Sequence, residues 1–578
     1  MSLPITRRQF VGKSVRGAVA ATAGRFFVLD SFGASADAQT PVSPYRAVFG
    51  DLDKLVEQYM RAMNSPGMTL VLADREGVQR IATYGFGDLQ EKTAVKPEAL
   101  FQIGSISKSF VANCLLQLHQ EGGLDLNKPV VEYLPWLRID SSFAPITTHH
   151  LLTHSSQLPG IPSPFLSDPA QKHHAHDAPG QYFHYNNMAF VVLGHLLWTL
   201  DGRPLPEVFR KRVFEPLGMT HSEPGITLDT RVRTVKNYAA FQNDRPYSRF
   251  GRLSEAPAIV LTDGSGCIAS TPGDMGLYVQ MIANRGKGPH GVLLSPESFE
   301  LFSKPHIKAE EFGPTASYGY GIAADNLDGH KILRHTGGMV SFMSAMHVDI
   351  DGGFGAFASI NAMQGYRPNP VAQYAIQLMR AKSESKSLPA APKQKPATLI
   401  ENAKDYAGVY KAENGRQLEF VAEGDGLFLT HNAKRVPLEG GNDAFNSGPG
   451  DFERFSFVFG RADSKDAKSA VVEVGWGNEW FANGKYTGPK TFDYPKEWNE
   501  YTGHYRNENP WIGSTRIILR KGKLMMDGAV PLEPGEGGIF HLRDEEHNPE
   551  WIRFGEVVNG KVMRIKLSGE DLWRVMAE

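Results

Sequence analysis

The sequence predicts an α+β protein in which a domain of mixed helices and strands precedes two small antiparallel β-barrels. Helix-like and strand-like patterns alternate over residues 45–382, whereas short alternating strands separated by Gly, Asn and Asp turns follow residue 400. The 59 glycines and 37 prolines among 578 residues favour many turns. A chain of this length exceeds one ordinary core, so we expect about three domains.

The elements of the first domain are predicted from their periodicity. Residues 68–73 and 78–84 flank a Gly-containing turn and predict a hairpin. Apolar residues at helical spacing predict a helix over 107–120 and a second, strongly apolar helix over 188–200. Residues 383–399 are rich in proline and have little to bury, so they are predicted to be a linker.

An internal repeat supports the two barrels. Asp405–Tyr410 recurs as Glu500–Tyr505, 95 residues later, and each copy precedes turn-rich sequence of a length suited to a small barrel. The alternative is a chance match of six residues. We predict barrels at 400–496 and 497–578.

The N-terminus has the pattern of an export signal. Residues 6–11 have the twin-arginine form, a small apolar stretch follows, and Ala36–Ala38 offers an A-x-A cleavage site. We therefore predict a signal peptide over 1–38, a periplasmic or secreted protein, and no membrane span after cleavage. A disordered basic start is the alternative.

Charge and cysteine content exclude several function classes. Lys and Arg number 61 against 63 Asp and Glu, so no global field would attract nucleic acid. Cys114 and Cys267 are too few for a disulfide framework or a cysteine-rich metal site.

A serine and a lysine carry the first chemical signal. Ser105 opens a predicted helix and Lys108 lies three residues later, which places both on one helical face. An amine in that position can act as the base that a hydroxyl nucleophile needs. The spacing alone is weak evidence, because Ser383 and Lys386 repeat it inside the predicted linker.

Two further motifs strengthen this signal. Tyr185-Asn186-Asn187 offers a phenol and a carboxamide just ahead of the second helix. His335-Thr336-Gly337 lies in a strand-like segment whose glycines would let a substrate approach the backbone. Tyr505–Asn507 is a decoy for the first motif, so the evidence lies in the order of the motifs within one domain.

These motifs resemble those of the serine β-lactamase-related hydrolases, which include class C β-lactamases, D-aminopeptidases, D-Ala-D-Ala carboxypeptidases and related esterases. Further similar stretches are 146–159, 214–219, 266–275 and 318–322. The resemblance covers 45–382 and implies a β-lactamase/transpeptidase-like domain, an antiparallel sheet flanked by helices. With two lipocalin-like barrels, the architecture most resembles the three-domain D-aminopeptidases.

The resemblance also implies roles. Ser105 would be the acylated nucleophile, Lys108 its proton acceptor and Tyr185 the proton relay to the leaving group and to water. The substrate-binding groups would be the Asn187 side chain, the glycines Gly337 and Gly338, and the backbone N–H groups of Ser105 and Gly338 as an oxyanion hole. We expect lowered pKa values for Lys108 and Tyr185. No cofactor and no metal is expected.

One departure from the family pattern bears on the substrate. His335, which the resemblance places among the catalytic residues, stands where β-lactamases have a lysine, and a histidine is largely neutral at pH 7. This favours the D-aminopeptidase and esterase branches, where H-x-G occurs, over a β-lactamase or carboxypeptidase.

Other histidines have simpler interpretations than metal binding. The run 172–177 contains three histidines and an aspartate, but we interpret it as a polar loop near the substrate mouth. His149, His150 and His154 are expected to be packing or surface residues, and His195 a core histidine.

The sequence thus predicts an exported serine hydrolase that forms an acyl-enzyme on small amides or short peptides. The first alternative is an esterase on short acyl esters. The second is a cell-wall or peptide-binding protein whose catalytic domain has lapsed. The oligomeric state is left open.

Overall fold

The structure, a computed structural model, describes residues 43–576 except 161–162, 166–170, 241–243, 247–251, 363–366, 395, 397 and 544–545. The predicted signal peptide lies outside the described residues. No helix within the described part is long and apolar enough to cross a membrane. The helices are α1 (Arg46–Ala62), α2 (Ser107–Gln120), α3 (Val130–Tyr133), α4 (Thr148–Leu152), α5 (Asn187–Asp201), α6 (Leu205–Phe209), α7 (Glu215–Leu217), α8 (Pro272–Ala283), α9 (Pro296–Ser303), α10 (Asn369–Ser383), α11 (Ala403–Tyr406) and α12 (Trp498–Tyr501).

A nine-stranded antiparallel sheet forms the centre of the first domain. Its strands are β1 (Gly67–Asp74), β2 (Val78–Asp88), β3 (Thr93–Ala94), β4 (Ile307–Lys308), β5 (Ser317–Tyr318), β6 (Ala323–Leu327), β7 (His330–Met339), β8 (Phe342–Asp349) and β9 (Phe354–Ile360). They are arranged in the order β4-β5-β6-β7-β8-β9-β1-β2-β3. The predicted hairpin is β1–β2, and the two predicted helices are α2 and α5.

Helices cover both faces of this sheet. Ile81 of β2 lies against α8 at Gly273, whereas Arg80 bonds to the Phe49 carbonyl of α1. Because neighbouring strand residues point to opposite faces, α8 and α1 lie on opposite sides of the sheet. Helix α10 packs against α1, β8 and β9, and every residue of β1, β8 and β9 is buried. The predicted sheet flanked by helices is confirmed.

Two closed eight-stranded antiparallel barrels follow, as the sequence predicts. The first barrel consists of β10 (Gly408–Lys411), β11 (Gln417–Glu423), β12 (Gly426–His431), β13 (Lys434–Gly441), β14 (Ala444–Ser447), β15 (Phe457–Arg461), β16 (Val471–Trp476) and β17 (Glu479–Ala482). The second consists of β18 (Gly503–Arg506), β19 (Ser514–Arg520), β20 (Lys523–Met526), β21 (Val530–Pro534), β22 (Ile539–Leu542), β23 (Trp551–Val558), β24 (Lys561–Leu567) and β25 (Glu570–Arg574).

The repeated sequence has the same structural role in both barrels. In each copy a one-turn helix, α11 or α12, leads into the first strand of the barrel. The Tyr410 hydroxyl donates to the Tyr406 carbonyl at 3.0 Å, and the Tyr505 hydroxyl donates to the Tyr501 carbonyl at 2.7 Å. The repeat is therefore a structural signature of the barrel entrance.

Candidate active site

Ser105 lies in a single 3₁₀ turn, Gly104–Ile106, that leads directly into α2. Lys108 follows in the first turn of α2, and its Nζ lies 3.0 Å from the Ser105 Oγ. The local spacing predicted from the sequence thus produces a direct amine–hydroxyl contact. Such a contact lets the amine accept the proton of the hydroxyl as it becomes a nucleophile.

Lys108 is completely buried, and its other partners are neutral oxygens. The Nζ donates to the Asn187 Oδ1 at 2.8 Å and to the Ser265 carbonyl at 2.6 Å. Burial lowers the pKa of Lys108 from its ordinary value to about 7, with the charge of Asp263 opposing this shift. Near neutral pH a large fraction of the amine is therefore unprotonated, in the direction that the sequence predicts.

Tyr185 completes the contact around the nucleophile. Its side chain interacts with Ser105, which opposes the rise in the pKa of the phenol, and the Lys108 Nζ lies 5.0 Å from the centre of its ring. The expectation of a lowered pKa is wrong for this phenol, because burial raises the pKa of Tyr185. The tyrosine stays protonated, so it suits the delivery of a proton rather than its removal.

The start of α5 fixes Tyr185 and Asn187. Asn186 is the N-cap residue of α5, and its Oδ1 accepts from the Ala189 N–H at 2.7 Å. The Nδ2 of the same side chain donates to the Leu158 carbonyl at 2.6 Å. Tyr185 and Asn187, on either side of the cap, are thereby directed to the same site. The Asn187 carboxamide oxygen binds Lys108 here, a contact that the sequence does not predict.

His335 is a buried neutral imidazole. Its Nδ1 lies 2.6 Å from the Thr336 carbonyl, which can only accept, so Nδ1 carries the hydrogen. The Nε2 therefore accepts from the Tyr318 hydroxyl at 2.8 Å. Burial, with the charge of Lys108 second, lowers the pKa of His335 to about 3. The side chain thus supplies no positive charge at pH 7, as the departure from the family lysine implies.

Glycines bring β7 against the nucleophile turn. A Cβ on Gly337 would lie 1.8 Å from the Ile103 carbonyl oxygen and 3.3 Å from the Ser105 backbone nitrogen. A Cβ on Gly104, whose φ is +56°, would lie 2.7 Å from the Gly338 nitrogen. Only glycine permits this approach, which places the Gly338 backbone beside Ser105. The structure therefore brings together every residue of the predicted site.

Three neighbours of the site were not identified from the sequence. His154 is fully buried, its ring lies 4.3 Å from that of Tyr185, and its Nδ1 accepts from the Asn186 N–H. Tyr318 bonds to His335. The Arg367 guanidinium lies near Gly338 and its charge lowers the pKa of Lys108. His154 and Tyr318 lie in stretches that resemble the family, and Arg367 lies just before α10. The sequence does not indicate what these three residues contact.

The remaining histidines make ordinary contacts. His176 pairs with Asp177 at 3.2 Å, and the Asp177 carboxylate also pairs with His547 of the second barrel. His195 is half-buried, its ring 5.6 Å from Trp136 and 5.0 Å from Phe165. Across the residues that the structure describes, no group of three His, Cys, Asp or Glu side chains could hold a metal ion.

Comparison with known proteins agrees with this geometry. The β-lactamase family matches residues 52–381. A β-lactamase of Providencia stuartii is 28% identical over 205 residues, 34% of this chain and 52% of its own length. Protein flp of Staphylococcus aureus (strain N315) is 27% identical over 188 residues, 30% of this chain and 37% of its own length. The chain thus spans about half or less of the length of these relatives.

A solved structure shows the same fold. The octameric penicillin-binding protein homologue from Pyrococcus abyssi superposes with a TM-score of 0.53 at 23% identity, covering 75% of this chain and all of that one. Since the family match spans more than half of the chain, the chain belongs to the β-lactamase family, whose members are serine hydrolases.

Proposed function

We propose that this protein hydrolyses small amides or short peptides through an acyl-enzyme on Ser105. The observation that carries the proposal is the 3.0 Å contact between the Ser105 Oγ and a buried amine, Lys108, whose pKa is about 7. A buried lysine without an acidic partner in direct contact stabilises the fold poorly, because burial disfavours its charge. The buried position of Lys108 is therefore explained by a role as the catalytic base.

The first half of the reaction forms the acyl-enzyme. The neutral Lys108 amine takes the Ser105 proton while the Oγ attacks the substrate carbonyl carbon. The resulting oxyanion would accept hydrogen bonds from the backbone N–H groups of Ser105 and Gly338. The bond to the leaving group then breaks, and the proton from Lys108 reaches the leaving nitrogen through Tyr185.

The second half releases the product. A water molecule attacks the acyl carbon, its proton passes to the Tyr185–Lys108 pair, and the Ser105 oxygen leaves and is reprotonated. Since Tyr185 stays protonated at rest, it gains a proton only as it gives up its own, which is relay rather than simple base catalysis. No metal or cofactor takes part in these steps.

One observation favours other amides, or esters, over β-lactams as substrates. The neutral His335 leaves the position of the family lysine without a charge for a substrate carboxylate. The leaving nitrogen of any amide, a β-lactam included, needs a proton, and the partly buried, protonated Tyr185 beside the nucleophile can supply it. An esterase on short acyl esters is the second candidate, because the same machinery cleaves the weaker ester bond.

The twin-arginine pattern supports the further proposal that the protein acts outside the cytoplasm, in the periplasm or after secretion. A small substrate that never enters the cell would fit this location.

Covalent labelling tests the proposal directly. After reaction with a fluorophosphonate probe, intact-mass spectrometry should show one adduct, and Ser105→Ala should abolish it. The matched control is Ser383→Ala, which changes the decoy serine that precedes Lys386 and should label as the wild type does. Absence of an adduct on the wild type would favour a binding protein whose catalytic domain has lapsed. Turnover of D-amino-acid amides against p-nitrophenyl esters then separates peptidase from esterase.

The pKa of Lys108 predicts the pH dependence of acylation. The base must be unprotonated, so kcat/KM for p-nitrophenyl acetate should rise with pH and level off above an apparent pKa of about 7. Arg367→Gln removes a positive charge that disfavours protonated Lys108, so it should move the rise to higher pH. A flat profile between about pH 5 and pH 9, or a shift of the variant to lower pH, would contradict Lys108 as the base.

A further inference from the structure

The second barrel places a carboxylate inside the catalytic domain. Glu550 immediately precedes β23, and only 5% of the residue is exposed. Its Oε1 accepts from the Gly160 N–H at 2.6 Å and lies 3.2 Å from the His184 Nε2. A single oxygen from one domain thus holds two segments of another.

Both of these segments bear directly on the catalytic tyrosine. His184 is the residue before Tyr185. Gly160 lies beneath the same backbone, since a Cβ on Gly160 would be 2.9 Å from the Tyr185 carbonyl oxygen. The Gly160 carbonyl also accepts from the Met188 N–H in the first turn of α5. The Glu550 carboxylate therefore bonds to the side chain of the residue before Tyr185 and to the Gly160 backbone, which in turn bonds to the first turn of α5 just after Tyr185.

A buried carboxylate at this place requires an explanation. Removing such a group from water is unfavourable unless hydrogen bonds replace the lost hydration. Among the described residues, the second oxygen of Glu550, Oε2, is buried and has no hydrogen-bond partner. A glutamine or an apolar side chain would suit a purely structural contact at least as well. A charged acceptor gives a shorter and stronger bond to a backbone N–H, which suits precise placement.

Other contacts dock the same part of the barrel on the same loop. The His547 ring stacks on that of Tyr182 at 3.6 Å, and its Nδ1 pairs with the Asp177 carboxylate at 3.2 Å. The stacked rings lie three residues before Glu550 and three residues before Tyr185, and Asp177 lies eight residues before Tyr185. They hold the barrel in place but, unlike Glu550, do not touch the segment under the catalytic tyrosine.

We propose that Glu550 is a positioning residue that holds the Tyr185 hydroxyl against Ser105, so that delivery of a proton to the leaving group depends on the second barrel. The inference rests on the proposed function, because it assumes acyl transfer at Ser105 with Tyr185 as the relay. It assigns the second barrel a part in catalysis that the β-lactamase-like domain alone does not contain.

Two aryl esters that differ in their leaving groups provide the test. p-Nitrophenolate departs as a stable anion. Phenolate is more basic, so its departure from phenyl acetate is faster when a proton is delivered to its oxygen. Values of kcat/KM report acylation for both esters. In Glu550→Ala we expect kcat/KM for phenyl acetate to fall about tenfold or more, and that for p-nitrophenyl acetate to change by less than about threefold. Tyr185→Phe should show the same selective loss.

The double variant sharpens the assignment. If Glu550 acts through Tyr185, then Glu550→Ala combined with Tyr185→Phe should be no slower than Tyr185→Phe alone. Losses that multiply, or equal losses for the two esters, would overturn the proposal because they indicate general damage to the fold.

The matched control is another carboxylate of the second barrel. The Glu570 Oε1 accepts from the Ser163 N–H at 3.2 Å, on the same loop but at an exposed position. Glu570→Gln should leave the ratio of the two esters unchanged, and an equal loss in that variant would contradict the proposal.

A folding failure and a failure of the proposed function are both recognisable. If Glu550→Ala does not fold, Glu550→Gln retains an acceptor without the charge and should show the same selective loss, smaller in size. A Glu550→Gln enzyme identical to the wild type with both esters would overturn the inference. If the wild type neither reacts with the fluorophosphonate nor hydrolyses either ester, the proposed function itself is wrong.

Discussion

The two barrels have the same internal construction but different surroundings. Each has an apolar core and begins with a buried tyrosine bonded to the carbonyl four residues earlier. The first barrel contacts the second through the ion pair of Glu473 with Lys521 at 2.7 Å. Arg520 of the second barrel in turn donates to the Gly477 carbonyl at 3.2 Å.

Contacts with the catalytic domain distinguish the two barrels. The second barrel binds it through Glu550, through the stacked ring of His547 and through an ion pair of Arg516 with Asp244 at 2.9 Å. For the first barrel, the described side chains include an ion pair between Glu453 and Arg245. A repeated unit can therefore keep its core while one copy takes up contacts near an active site, because loops vary more freely than the strands that carry them.

The largest effect that would separate the barrels is a cavity in each core. Leu438→Ala in the first barrel and Leu542→Ala in the second both remove a buried leucine side chain. Each should destabilise its barrel by about 2–5 kcal/mol, measured by denaturant unfolding. The Leu542 N–H donates to the Glu550 carbonyl. Only Leu542→Ala should therefore also lower kcat/KM for phenyl acetate relative to p-nitrophenyl acetate, well below the unfolding transition.

The proposed difference between the barrels is contradicted if the two leucine substitutions have the same effect on activity. If Leu438→Ala lowers the activity ratio as much as Leu542→Ala, then both barrels support the site through general stability. If neither changes the ratio while both lose stability, the strand that bears Leu542 does not determine the position of Glu550.

Local patterns predicted a large part of this molecule. Helical periodicity located α2 to the residue, and the repeated tyrosine motif located the entrance of each barrel. The pairing of Ser105 with Lys108 was predictable because it depends on one turn of helix. Tyr185 and His335 were assigned through the family resemblance, and the structure places both beside this pair.

What escaped prediction depends on contacts between distant parts of the chain. Gly160 and Glu550 are 390 positions apart, and no local signal connects them. The pKa of Tyr185 was predicted in the wrong direction because the sequence shows the hydroxyl's role but not its burial, which dominates the shift. Likewise His154 lies in a stretch that resembles the family, yet only the structure shows that its ring packs against that of Tyr185.

A smaller effect tests whether the two barrel entrances are equivalent. Tyr410→Phe and Tyr505→Phe each remove one hydroxyl that donates to a carbonyl, so each should reduce the free energy of unfolding by about 1 kcal/mol. The loss should be the larger one for Tyr505, because its hydroxyl also accepts from the Arg574 guanidinium at 2.8 Å. Denaturant titration would measure both losses. Tyr486→Phe is the control, because its hydroxyl also donates to a carbonyl, at 3.0 Å, but at an exposed position. That substitution should change stability by less than about 0.5 kcal/mol.

If the two tyrosine substitutions lower the free energy of unfolding by similar amounts, the difference between the barrels lies in their outer loops. Neither entrance tyrosine contacts the catalytic domain through a described hydrogen bond, so neither substitution should change the ratio of the two aryl esters. A loss of activity in Tyr505→Phe alone would show that the core of the second barrel is also adapted to the site. A cost of about 3 kcal/mol in one barrel and none in the other would instead mean that the repeat has diverged inside as well as outside.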